Sequence, residues 1–136
     1  MAAEVFVDTS AWYAIAVRER DSARVEAVLH QRLKARTRLV TTNLIVAETH
    51  ALLLRRAGYA AAMEFVHQVE RPPIVIVESN AELEARAVSN WLERYDDQDF
   101  SFTDAVSFAV MSEHRIREAL TLDAHFATAG FATLPS

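Results

Sequence analysis

Four acids sit at the edges of apolar runs, where they can act together. Asp8 ends Val5-Phe6-Val7 and is followed by two hydroxyls, Thr9 and Ser10. Glu48 lies between Ala47 and Thr49 in an apolar segment, Asp104 closes Ser101-Phe102-Thr103-Asp104, and Asp123 ends Ala119-Leu120-Thr121-Leu122. A lone carboxylate is costly to bury, and several together raise one another's pKa. A hard divalent cation removes the conflict, because Mg2+ or Mn2+ prefers oxygen ligands and keeps waters. Such an ion neutralises phosphate charge and sharpens a bound water as nucleophile. His30, His50, His67, His114 and His125 have no His-x-x-x-His spacing, so zinc is not expected and the ligand set reads as carboxylate alone. Plainer readings stand beside this one. Ser101 and Asp104 fit a capping pattern at a helix start, and Glu48 by itself fits a solvent-facing position.

The elements that must position these acids alternate in type. Val5 to Val7 reads as a buried strand stopping at Asp8, with a short helix from Ala11 to about Val17 behind it. Asp21 or Ser22 can cap a second helix. Leu39 to Thr42 is a second strand, Asn43 a plausible N-cap, and Leu44 to Ala57 a helix that ends at Gly58. Tyr59 to Val69 closes a helical hairpin, and Pro72-Pro73 breaks it. Ile74 to Val77 is uniformly apolar, as a strand buried on both faces should be. Ser79 to Glu82 resembles a capping box for a helix from Ala81 to about Tyr95. After the acidic loop Asp96-Asp97-Gln98-Asp99 comes a helix from Ala105 to about Glu113. Ala119 to Leu122 is a fourth strand, His125 and Phe126 lie in a short helical turn, and Phe131 to Leu134 is a last strand.

This alternation implies a parallel sheet with right-handed crossovers. In such a sheet ligands bind beyond the carboxyl ends of the strands. Topology then brings Asp8, Glu48, Asp104 and Asp123 to one rim.

Bulk properties narrow the classes. The 136 residues suit a single domain, 1–136, and a hydrophobic share of 51% argues against disorder. There is no cysteine, hence no thiolate nucleophile or thiolate metal site. Two glycines, Gly58 and Gly130, are too few for a dinucleotide fingerprint or a P-loop. No signal peptide and no membrane-spanning run is evident, so a cytoplasmic location is the expectation. A net charge of −5 argues mildly against broad nucleic-acid binding but leaves room for a local basic groove.

The segments Val5-Phe-Val-Asp8-Thr-Ser10, Val46-Ala-Glu48, Phe102-Thr103-Asp104-Ala105 and Leu122-Asp123-Ala-His-Phe126 resemble, in order and separation, the four signatures of PIN-domain ribonucleases. The closest resemblance is to the VapC-type toxins of bacterial toxin–antitoxin pairs, and it spans essentially the whole chain. It implies a three-layer α/β/α PIN-like fold with a central five-stranded parallel sheet. It also implies metal-dependent endoribonuclease activity with Mg2+ or Mn2+, homodimers, and inhibition by a small antitoxin protein. Position by position, Asp8, Glu48, Asp104 and Asp123 correspond to the metal-coordinating acids. Ser10 and Thr103 match hydroxyl positions that support the site or touch phosphate. Asp99 reads as loop solvation.

An acidic protein must steer RNA locally, and Arg18, Arg20, Arg24 and Lys34 are candidates, each also readable as a solvated surface charge. Arg32, Lys34, Arg36 and Arg38 recur at every second position, as a solvated helix end or a phosphate rim. The hairpin's Leu44, Leu52, Leu53, Leu54, Met63, Phe65 and Val66 either fill the core or leave a surplus for a dimer seam or antitoxin groove. Two rivals remain. A phosphatase using an aspartyl intermediate wants a second acid at position 10 and a supporting lysine, but Ser10 stands there and Lys34 is the only lysine. A noncatalytic PIN-like binding module would keep the acids for a structural ion or a partner's arginine.

Overall fold

The computed structural model describes residues 3–136. Five short strands, β1 (Glu4–Val7), β2 (Arg38–Thr42), β3 (Ile74–Val77), β4 (Glu118–Leu120) and β5 (Ala132–Leu134), form one sheet in the order β3-β2-β1-β4-β5. Every neighbouring pair is parallel. The helices are α1 (Thr9–Val17), α2 (Ser22–Lys34), α3 (Asn43–Arg56), α4 (Tyr59–Val69), α5 (Ala81–Ala87), α6 (Phe102–His114) and α7 (His125–Thr128). Helices α1 to α4 pack with one another on one face of the sheet, and α5 to α7 on the other. This is the three-layer α/β/α arrangement the resemblance implies.

The apolar runs make the centre. Val5, Phe6, Val7, Leu39, Val40, Ala119 and Leu120 are buried in the three middle strands. On the α6 side, the Phe108 ring meets Phe126 edge-on at 4.9 Å, and Phe126 packs on Phe6 at 6.1 Å. That contact holds α6 and α7, the two helices flanking the site, against β1.

Several local expectations change. Strand β3 is an edge strand and only partly buried, with Val75 39% exposed, so its apolar run does not mean burial on both faces. Helix α3 is capped by Thr42, whose Oγ1 accepts from the Ile45 amide at 3.1 Å, and Asn43 is its first residue rather than its cap. No capping box forms at Ser79. Asn80 caps α5 through Leu83 N–H, and Ser79 Oγ donates to Glu84 instead. The expected helix to Tyr95 is α5 followed by a π-helical turn over Val88–Glu93. Strand β4 stops at Leu120, leaving Thr121 and Leu122 between it and Asp123. Among the described residues, no helix is long and apolar enough to cross a membrane.

Candidate active site

The direction of chain growth reverses between β1 and β4. After β1 the chain enters helices on one face and steps to β2; after β3 it crosses back to place β4 on the other side of β1. At such a switch point the connections leaving the two strands diverge, and a crevice opens beyond their carboxyl ends. Asp8 leaves β1 there, and Thr121, Leu122 and Asp123 leave β4.

Asp8 is 5% exposed and stands at the N-cap position of α1 without capping it through its side chain. Its Oδ2 instead accepts from Thr121 Oγ1 at 2.9 Å and from Ser10 Oγ at 3.0 Å. Thr121 Oγ1 also accepts from the Asp123 amide, and Ser10 Oγ from the Leu122 amide, each at 2.9 Å. Two hydroxyls thus sew the end of β1 to the loop after β4. Burial pushes the Asp8 carboxyl up to about 6, against hydrogen bonds from Thr121, the Thr9 backbone and Ser10 that favour the ion; the nearby Asp104 charge adds to the rise.

Asp104 is placed by the start of α6. Ser101 Oγ accepts from the Asp104 amide and Asp104 Oδ2 accepts from the Ser101 amide, both at 3.0 Å, a complete capping box. The capping and metal-binding readings of Asp104 are therefore compatible, because one carboxylate serves the helix end and faces the crevice. The same Oδ2 lies 2.9 Å from His125 Nδ1, and the Asp123 Oδ1 is 3.6 Å from that nitrogen. Asp123 Oδ1 also accepts from the His125 amide at 2.9 Å. The Asp104 carboxylate, chiefly, holds the His125 imidazole above its usual pKa, with Asp123 and Asp99 adding charge.

One ligand atom each from Asp104, Asp123 and His125 lies within 4.8 Å of the other two. Two carboxylates and an imidazole so gathered suit a divalent cation, the class of ion PIN nucleases generally use. The sequence reading named carboxylates alone; in the structure the His125 imidazole stands beside two of them, Asp104 and Asp123. A helical His-x-x-x-His spacing does not report this residue, because His125 stands two residues after Asp123 across a tight turn. Thr121 was missed too, although a hydroxyl two residues before Asp123 at a strand end was a visible signal.

The other expected residues lie on α2 and α3, on the α1–α2 connection and at the start of α6. Glu48 is exposed on α3 and outside the tight group. Thr103 is half-buried, and its carbonyl accepts from Ser107 Oγ. Arg20 lines a cavity beside Ser10, whereas Arg18 lines a different one between α1, α2 and α4. Arg24 is exposed beside Asp21 at 3.5 Å. Lys34 ends α2 at the opposite edge of the sheet, where Arg32 pairs with Glu118 at 2.6 Å and Arg38 with Glu4 at 2.8 Å. Arg32 and Arg38 thus tie down the N-terminal strand ends, and Lys34, the only lysine, lies at that end of the sheet while Asp8 lies at the other.

Comparison with known proteins identifies the family. The PIN domain family model matches residues 5–132. The 23S rRNA-specific endonuclease VapC20 of Mycobacterium tuberculosis, in strains CDC 1551 / Oshkosh and ATCC 25618 / H37Rv, is 37% identical over 128 residues, covering 93% of this chain and 95% of the relative. The crystal structure of M. tuberculosis VapC20, described as a Sarcin-Ricin loop cleaving toxin, superposes with a TM-score of 0.86 at 32% identity, over 94% of this chain and 96% of that one. FitAcB from Neisseria gonorrhoeae shares the fold, with a TM-score of 0.62 at 17% identity over 95% of each chain. The chain therefore belongs to the PIN-domain family, in its branch of VapC-type endoribonucleases.

Proposed function

We propose that this chain is a Mg2+- or Mn2+-dependent endoribonuclease whose substrate is a ribosomal RNA loop, and that it is the toxin of a pair with a small antitoxin protein. The observation that carries this reading is the meeting of Asp104, Asp123 and His125 within 4.8 Å, beside Asp8. Asp104, Asp123 and Asp8 would hold the ion, with His125 as a further ligand or as the group that fixes the Asp104 carboxylate. When bound, the cation neutralises charge on a phosphodiester and makes a water nucleophilic near neutral pH. The chain's own residues do the rest. Thr121 and Ser10 fix the Asp8 carboxylate, Ser101 fixes Asp104, and the His125 amide fixes Asp123. Preorganised ligands of this kind lower the reorganisation needed at the reacting phosphate. Glu48, exposed at the start of α3, is assigned to the metal's outer water or to the substrate. Products would carry 5′-phosphate and 3′-hydroxyl ends, by family analogy.

The similarity to VapC20 along nearly the full chain supports the ribosomal substrate. Purified protein incubated with ribosomes and Mn2+ is expected to release a discrete large-subunit RNA fragment, and EDTA to prevent it. Asp104→Asn keeps a side chain able to cap α6, so the variant should fold while cleavage falls by at least about a hundredfold. An Asp104→Asn protein cutting at the wild-type rate sinks the assignment.

A further inference from the structure

A cavity of about 280 Å³ lies against the outer side of Ser10, between the α1–α2 connection and α3. Its walls include Ser10, Tyr13, Arg20, Leu52, Arg56 and Leu122. Ser10 belongs to both places: its Oγ bonds Asp8, and its neighbour in the wall, Leu122, directly precedes Asp123. We propose that this cavity is a subsite for one unpaired nucleotide of the RNA strand, adjacent to the scissile phosphate. The location of the scissile bond rests on the nuclease reading above; the subsite itself rests on the chemistry of these walls.

That chemistry is divided. Leu122 is 40% exposed, although an apolar side chain gains by burial, and with Leu52 it offers a face for a base. The Arg56 guanidinium lies 5.7 Å from the centre of the Tyr13 ring. A cation–π contact of that kind holds the guanidinium in place and leaves its N–H edge to meet an anion. Arg20 supplies a second guanidinium from the α1–α2 connection. The acids bordering the cavity are Glu19 and Asp21, and Asp21 already faces Arg24 at 3.5 Å. An apolar face beside two guanidiniums suits a base joined to a phosphate. The base must leave its stack to enter, which selects single-stranded RNA over duplex.

The test measures binding and turnover separately. Binding of a short, labelled, randomised single-stranded oligoribonucleotide is followed by anisotropy with Mg2+ in the Asp104→Asn background, and cleavage is followed in otherwise wild-type protein. Arg56→Ala should weaken binding roughly tenfold and lower the salt slope by about one, as one phosphate contact is lost. In cleavage it should raise KM far more than it lowers kcat. Tyr13→Leu, which keeps the charge and removes the ring beneath Arg56, should weaken binding less. Arg71→Ala, before β3 at the opposite edge of the sheet, should change neither. Equal binding by Arg56→Ala and Arg71→Ala overturns the subsite while leaving the nuclease intact, as does an oligoribonucleotide that fails to bind the parent protein. Binding that depends on Arg56 in a protein that cuts no RNA sinks the nuclease reading and leaves the subsite standing.

Discussion

At Asp8, burial and hydrogen bonding pull in opposite directions, and burial wins. The carboxyl moves from its ordinary 3.8 to about 6, so the metal-free fold holds its proton to a higher pH than the unfolded chain does. A group whose pKa rises on folding contributes stability that is full below its unfolded pKa and is lost as pH climbs through the folded value. Metal-free protein should therefore lose roughly 3 kcal/mol at this one group between about pH 4 and pH 6. His125, raised by Asp104, adds to the loss at higher pH, through the same linkage. Asp8→Asn removes the Asp8 component. In urea titrations with EDTA the variant should be the more stable protein at pH 7, with the difference closing toward pH 4. Mn2+ should reverse the order at pH 7, because it binds the ionised carboxylate. Parallel pH profiles for the two proteins would refute this account of Asp8.

Helix α6 shows how an element delivers a functional group. Its start is fixed by the reciprocal Ser101–Asp104 bonds, and its body by the buried run Ala105, Val106, Phe108, Ala109, Val110 and Met111. Loss of such a cap costs typically about 1 kcal/mol. Ser101→Ala should accordingly lower the urea-derived stability by that amount. It should also weaken Mn2+ affinity: the Ser101 amide that holds the Asp104 carboxylate is kept, but the hydroxyl that pins the Asp104 amide, and with it the first turn of α6, is lost. Calorimetric titration with unchanged Mn2+ affinity would mean that α6 packing alone positions Asp104. Ser101→Thr, which retains the hydroxyl, should restore both. The start of α1 acts differently: Asp8 occupies its N-cap position yet gives it no side-chain bond, so that carboxylate stays available to Thr121 and Ser10.

At the scale of the whole molecule, the hairpin of α3 and α4 sorts its apolar residues in two directions. Leu53 and Phe65 are buried in the core, while Leu54 at 46% and Tyr59 at 72% remain exposed at its tip. The homodimer that the family resemblance implies would give, in light scattering at micromolar concentration, twice the 15.3 kDa of one chain, and a lone 15.3 kDa species would remove it.

Sequence alone determined the parallel α/β plan, since apolar strands alternating with helix-length amphipathic runs leave few other ways to bury both. It also assigned Asp8, Glu48, Asp104 and Asp123 to one rim; Asp8, Asp104 and Asp123 meet there, because a carboxylate that ends a buried strand, or opens the helix leading to the next one, has its position set by topology, while Glu48 stands exposed on α3 outside the group. Element ends were less legible. The Asn43 and Ser79 caps failed because the packed backbone starts each helix from a neighbour: Thr42 takes the Ile45 amide and Asn80 the Leu83 amide, while the Asn43 side chain accepts from the Ser79 amide. The edge position of β3 was hidden because strand order follows from long-range pairing. His125 and Thr121 entered the site for the same reason: their partners, Asp104 and Asp8, lie 21 and 113 residues away in the chain. A hydrogen bond acts over about 3 Å, and only the tertiary fold decides which distant groups come within that reach.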